Sequence, residues 1–208
     1  YRKAAMQGNT FAQFRLAAEG NPLAQFFLGI MYDNGVGVPK DYPRAIFWYQ
    51  KAANNGNTAA QFYLARLYDI GRKTERNPQK ALELYRKIAM SPEPPQKYDL
   101  PPVLKATLAE DAAKLQAWYQ EANQTSQVKA QFNIGIMYTN GEPGEKDYHE
   151  AARWYAKAAE QGFGPAQYNL GWMYHNGRGV EQNFATAAQW YRKAAMQGNT
   201  FAQFRLAA

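Results

Sequence analysis

Apolar residues recur along the chain with the period of a helix. Between Leu23 and Asp33, Ala24, Leu28 and Met31 share one face, and Gly35 continues it at intervals of four, three and four. The pattern predicts a helix over 23–33. Gly35 and Gly37 stop it, because glycine takes positive φ at low cost. A second helix is predicted to begin at Asp41, whose side chain can accept a hydrogen bond from an orphan first-turn N–H. It ends near Gly56, where a glycine C′ belongs. Polar residues cluster at the two turns, so the segment reads as a pair of antiparallel helices.

The same pattern returns. Segments beginning Ala-Gln-aromatic stand at Ala24, Ala60, Ala130, Ala166 and Ala202, spaced 36, 70, 36 and 36 residues apart. Each of the first four continues with an apolar residue beside Gly or Ala and then a Tyr: Leu28-Gly29…Tyr32, Leu64-Ala65…Tyr68, Ile134-Gly135…Tyr138, Leu170-Gly171…Tyr174. A second pair follows as Trp48-Tyr49, Leu84-Tyr85, Trp154-Tyr155 and Trp190-Tyr191. The spacing of 70 hides a degenerate unit, since Trp118-Tyr119 and Asp111 sit in phase while Pro94, Pro95, Pro101 and Pro102 break its front half. Cap residues Asp41, Asn77, Asp111, Asp147 and Asn183 occupy one slot. The chain is therefore expected to be a single repeat domain. Its units are a partial repeat at 1–23, repeats at 24–59 and 60–93, a degenerate Pro-rich unit at 94–129, repeats at 130–165 and 166–201, and the start of another at 202–208. The fold class predicted is all-α, a right-handed superhelical α/α solenoid. No pair can bury its apolar face alone, so the units stack.

These residues resemble the Sel-one-like repeat family, relatives of the tetratricopeptide solenoids. The first full unit carries the family pattern through Ala24, Leu28, Gly29, Tyr32, Gly35, Gly37, Val38, Asp41, Ala45, Trp48, Tyr49, Lys51, Ala52, Ala53 and Gly56. The last carries it through Leu170, Gly171, Tyr174, Gly177, Gly179, Val180, Ala187, Trp190 and Tyr191. The stretch 94–110 and the remnant at 12–23 depart from it. The resemblance implies an adaptor or scaffold that binds a protein or peptide, often bacterial, with no catalysis and no cofactor.

Equivalent slots within the chain separate frame from function. Positions of constant type hold the array together, and exposed positions that vary are candidates for binding. On the first helix of each pair the variable slots are Phe27, Tyr63, Asn133 and Asn169; Ile30, Arg66, Ile136 and Trp172; and Asp33, Asp69, Thr139 and His175. They lie three residues apart on one stripe, on the helix that commonly lines the concave face of stacked pairs. Aromatics and Arg anchor protein interfaces, so the stripe is the expected protein-binding groove.

Composition adds exclusions. The chain has no Cys, two His and two Ser, which rules out a disulfide framework, a Cys-ligated metal and a thiol nucleophile. Ser126-Gln-Val-Lys129 fits the S-x-x-K pattern of penicillin-recognising enzymes, but no S-D-N or K-T-G accompanies it, and it is expected in the polar turn before Ala130. No run of about 18 apolar residues suggests a membrane span. The chain begins at Tyr1 without a targeting pattern and reads as a fragment, so its compartment stays unassigned.

The 24 basic residues against 17 acidic ones give a net charge of +7, which suggests an acidic partner such as nucleic acid or anionic lipid. Residues 1–18 and 191–208 are identical, and each copy holds three basic residues and no acid. Without them 18 basic residues face 17 acidic ones, so no specific nucleic acid is expected. The duplication is explained by a longer super-repeat, by a recent or engineered duplication, or by one segment assigned twice. The first two imply solenoid ends that favour end-to-end self-association.

Overall fold

The structure is a computed structural model. It describes residues 15, 17–35, 38–71, 74–91 and 112–207, and only the backbone of 112–125. Its described residues form nine helices and no strands. In chain order they are α1 (Pro22–Asn34), α2 (Tyr42–Asn54), α3 (Thr58–Ile70), α4 (Pro78–Ala89), α5 (Ala112–Asn140), α6 (Tyr148–Glu160), α7 (Gly164–Asn176), α8 (Phe184–Met196) and α9 (Thr200–Ala207). This is the all-α, paired-helix architecture that the periodicity predicts. The chain divides into two compact units, residues 1–84 with 91–126, and residues 85–90 with 127–208.

The helix starts are fixed by short polar side chains. Asp41, Asn77, Asp147 and Asn183 each accept from the backbone N–H three residues on, at 2.8–3.0 Å. The fifth predicted cap, Asp111, lies outside the described residues, as do the side chains of Trp118 and Tyr119. The first helices of the pairs are capped as well, by Asn21, Asn57 and Asn199. Each such bond satisfies one of the donors that a helix N-terminus leaves unpaired. At the other end, Gly35, Gly71 and Gly177 sit at φ 73°, 68° and 63°, the left-handed conformation that lets the chain leave a helix and turn back.

The Gln of each Ala-Gln-aromatic motif is a buried clamp. Gln25, Gln61 and Gln167 are 2–5% exposed. Their amide nitrogens donate to the carbonyls of Ala17, Ala53 and Ala159 in the preceding helix, at 3.0–3.1 Å. The amide oxygens of Gln25, Gln131 and Gln167 accept from Asn55, Gln161 and Gln197 at the end of the second helix of the same repeat. Burying an amide is costly unless both ends are bonded, so the residue both holds successive helices and fixes their spacing.

Around these clamps lie small cores. In the first unit Phe26, Tyr32, Tyr49, Ala52, Ala53, Ala60 and Leu64 pack together. In the second, Ala151, Tyr155, Ala158, Ala166, Leu170 and Met173 do so. The mid-helix glycines earn their place here. A Cβ on Gly29 would lie 2.4 Å from the ring of Tyr49, one on Gly135 2.6 Å from Tyr155, and one on Gly171 2.8 Å from Tyr191. The loss of helix propensity, about 1 kcal/mol against Ala, is the consequence of seating a full aromatic ring on the backbone.

One expectation is corrected. Ser126 to Lys129 do not form a turn before Ala130; they lie inside α5, which runs unbroken for 29 residues. Other first helices follow a glycine with positive φ, Gly56 or Gly162. Residues 112–130 contain no Gly and no Pro, so nothing there favours a left-handed residue that would end the helix.

Candidate functional site

The residues of the variable stripe are less free than the sequence suggests. In the first unit, Tyr63 and Arg66 on α3 are exposed, Tyr63 to 37%. Phe27, Ile30, Asp33 and Asp69 are half-buried. Tyr63 lays its ring 5.6 Å from that of Phe26 and 5.7 Å from that of Tyr49. Phe27 lies 6.1 Å from Phe26, and Ile30 packs on the core around Tyr49. The stripe here is an aromatic shelf whose outer edge is Tyr63 and Arg66.

In the second unit, Asn133, Ile136, Thr139, Asn169, Trp172 and His175 are all half-buried. Ile136 and Trp172 both pack against the core around Tyr155, so Trp172 is partly structural. His175 faces Phe184 at 5.2 Å between ring centroids and Tyr191 at 6.4 Å.

The third slot of the stripe has a defined task, because it lies beside the hydroxyl of the buried Tyr on the second helix. Asp33 accepts from Tyr49 Oη at 3.4 Å. Thr139 Oγ1 lies 3.2 Å from Tyr155 Oη and donates to the Gly135 carbonyl at 2.8 Å. Asn169, from the next repeat, stands 14 residues after Tyr155, the place that Tyr63 holds beside Tyr49 at 5.7 Å between rings. Burial pushes all three phenols above their ordinary value. The Asp33 charge adds to this at Tyr49, while the hydrogen bond with Thr139 opposes it at Tyr155. At Tyr191 the pattern fails: residue and hydroxyl are buried, and the hydroxyl makes no hydrogen bond.

Sequence reasoning did not single out Tyr191, the buried tyrosine whose hydroxyl is left unbonded, or Arg205. A signal existed. Counting 36 residues from Asn169 lands on Arg205, the next occupant of the slot formed by Phe27, Tyr63, Asn133 and Asn169. The array register could have been carried one repeat further.

The candidate nucleophile is not available for chemistry. Ser126 is 5% exposed in the middle of a helix, and a nucleophile needs an open face and a base in reach. Among the described residues no group of three or more His, Cys, Asp or Glu could hold a metal ion, and no helix is long and apolar enough to cross a membrane.

Stacked helix pairs with a constant frame and a variable stripe on the first helix define an α/α repeat scaffold. The Sel1 repeat model matches residues 1–9, 22–57, 58–91, 128–163 and 164–199. The chain belongs to the Sel1 repeat family. Sel1 repeats in general mediate protein–protein interaction and are typically non-catalytic scaffolds. Among solved structures, a Sel1 repeat protein from Oxalobacter formigenes is 30% identical with a TM-score of 0.71, over 97% of this chain and 70% of that one. A protective antigen of uropathogenic Escherichia coli with the same repeat fold is 31% identical, with a TM-score of 0.41 over 93% of this chain and 42% of that one. A Sel1 repeat protein from Klebsiella pneumoniae is 24% identical, with a TM-score of 0.36 over 95% and 97%. No curated protein matches the chain.

Proposed function

We propose that the chain is a scaffold that holds a protein or peptide partner on the exposed edge of its first-helix stripe. The observation that supports this is variation inside a constant frame. Between equivalent slots the Gln clamps, caps and core alanines repeat, while Phe27, Tyr63, Asn133 and Asn169, and likewise Ile30, Arg66, Ile136 and Trp172, change character. Residues that only packed would keep their size from repeat to repeat. Tyr63 and Arg66 are of the types that carry most binding energy at protein interfaces, and both meet solvent.

Arg66→Glu tests the proposal. Arg66 is exposed, so the substitution should leave helix content and melting unchanged. Capture of the partner that co-purifies with the wild-type chain should fall about tenfold or more, the scale of one interface anchor. Unchanged capture would contradict the assignment of α3 to the binding edge.

A further inference from the structure

We propose that Tyr191 and Arg205, with His175 beside them, form a subsite for a carboxylate carried by the partner; this rests on the first-helix stripe being the binding face. The inference starts from a comparison of three equivalent tyrosines. Tyr49, Tyr155 and Tyr191 are each 1–3% exposed. The hydroxyl of Tyr49 is bonded by the residue 16 positions before it, Asp33. That of Tyr155 is bonded by Thr139, also 16 before, and the place 14 after is held at Tyr49 by Tyr63, its ring 5.7 Å away. At Tyr191 these two places are held by His175 and Arg205. The hydroxyl makes no hydrogen bond with either.

The change of residue type says what is missing. Asp33 and Thr139 each offer an oxygen that can accept a hydrogen bond, whereas the guanidinium of Arg205 has only donors. The His175 ring reaches the Tyr191 ring only at 6.4 Å between centroids. Tyr191 therefore presents an O–H with nothing to receive it, beside a side chain that brings more N–H groups and a positive charge. Converging neutral and charged donors are completed by an anion with two acceptor oxygens, and a carboxylate is the common one in proteins. The Arg205 charge already acts on the Tyr191 phenol, opposing the upward push of burial. Only Ala202 is buried on α9, so Arg205 can turn to share an incoming anion without disturbing a core. Leaving a buried hydroxyl unpaired costs stability, and a bound carboxylate would remove that cost.

The carboxylate can come from an Asp or Glu side chain or from a chain terminus. Three free peptides separate the cases in an NMR titration that follows the Arg205 Nε–Hε and Tyr191 ring signals. They are acetyl-Gly-Gly-Asp-Gly-Gly-amide, acetyl-Gly-Gly-Gly-Gly with a free C-terminus, and acetyl-Gly-Gly-Asn-Gly-Gly-amide. At least one of the two carboxylate peptides should shift both signals, and which one does so names the source. Tyr191→Phe and Arg205→Gln should each weaken that binding about tenfold or more. Tyr191→Phe should melt at the wild-type temperature or above it, while Tyr155→Phe, which loses its hydrogen bond with Thr139, should melt lower. The proposal is overturned if neither carboxylate peptide binds, if the Asn peptide binds as well, if Tyr191→Phe binds like wild type, or if Tyr191→Phe melts lower. Since the probes are free peptides, their binding stands or falls apart from partner capture by α3.

Discussion

Gly135→Val should destabilise the second unit by about 2–3 kcal/mol, read as a lower urea midpoint by circular dichroism. A single Cβ at that position already comes within 2.6 Å of Tyr155 Cδ1 and Cε1. The ring cannot move aside freely. It is held at its hydroxyl by Thr139, and its centroid lies 5.7 Å from that of Phe132. A close-packed interior answers added volume with strain, not with flow. Gly135→Ala should cost less, about 1 kcal/mol, because alanine returns helix propensity. Ala65 holds the same slot in the second repeat and is fully buried, so one methyl can be accommodated at such a position. Tyr155→Ala alone should cost about 3–5 kcal/mol. If ring and glycine form one packing unit, the double substitution Gly135→Val with Tyr155→Ala must cost at least about 1 kcal/mol less than the two single costs together. Simple additivity would show that the glycine is not there for the ring.

The second large effect is expected at Asn57. Its side chain is fully buried. Oδ1 accepts from the Ala60 N–H at 2.8 Å, and Nδ2 donates to the Pro22 carbonyl at 3.4 Å. Asn57→Ala removes a helix cap and strands the Ala60 N–H where water does not reach. Such a loss costs about 2 kcal/mol or more. Asn77 makes the same cap to Lys80 at 3.0 Å in an exposed setting. Water replaces its bond, so Asn77→Ala should cost about 1 kcal/mol or less. Urea denaturation of the two variants side by side gives the comparison. Equal costs would mean that burial of the Asn57 cap adds nothing.

Most of the frame was legible because it is repeated. Asp41, Asn77, Asp147 and Asn183 stand in phase and each caps a helix. Gly29, Gly135 and Gly171 stand in phase and each meets a Tyr ring. Repetition removes accident: a residue kept at one slot in several units must answer a force common to all of them. What was hidden depends on single copies. The caps of the first helices went unnoticed because the slot is not uniform. Asn21, Asn57 and Asn199 fill it, but in the sixth inter-helix turn Phe163 does, and it makes no cap bond. Phe163 instead meets the Phe132 ring edge to face at 5.2 Å, trading one hydrogen bond for aromatic burial. The fusion of two helices into α5 was hidden for the opposite reason. The polar stretch Gln124 to Lys129 looks like a turn, yet a turn here needs a residue that leaves the helical region, and none is present.

The candidate site was legible as a stripe and not as a set of contacts. Spacing alone places Asp33, Thr139 and His175 on one line. It does not reveal that the line runs past the hydroxyls of Tyr49, Tyr155 and Tyr191, because those contacts join helices 16 residues apart in sequence. Trp172 shows the same limit. As a large apolar residue in a variable slot it reads as an anchor, and in the structure it also closes the core beneath α7. Arg66 and Tyr63, both exposed, therefore carry the proposed binding edge more than Trp172 does.

The central claim, that partners sit on the first-helix stripe, is tested most directly by photo-cross-linking. A photoreactive phenylalanine analogue is placed at Arg66 or His175 on that stripe, and at Gln50 or Lys157, exposed sites on α2 and α6. Irradiation of the partner-bound chain should give cross-linked adducts from positions 66 and 175 and little from 50 and 157. Adducts formed chiefly from 50 and 157 would place the partner on the second helices and contradict the account.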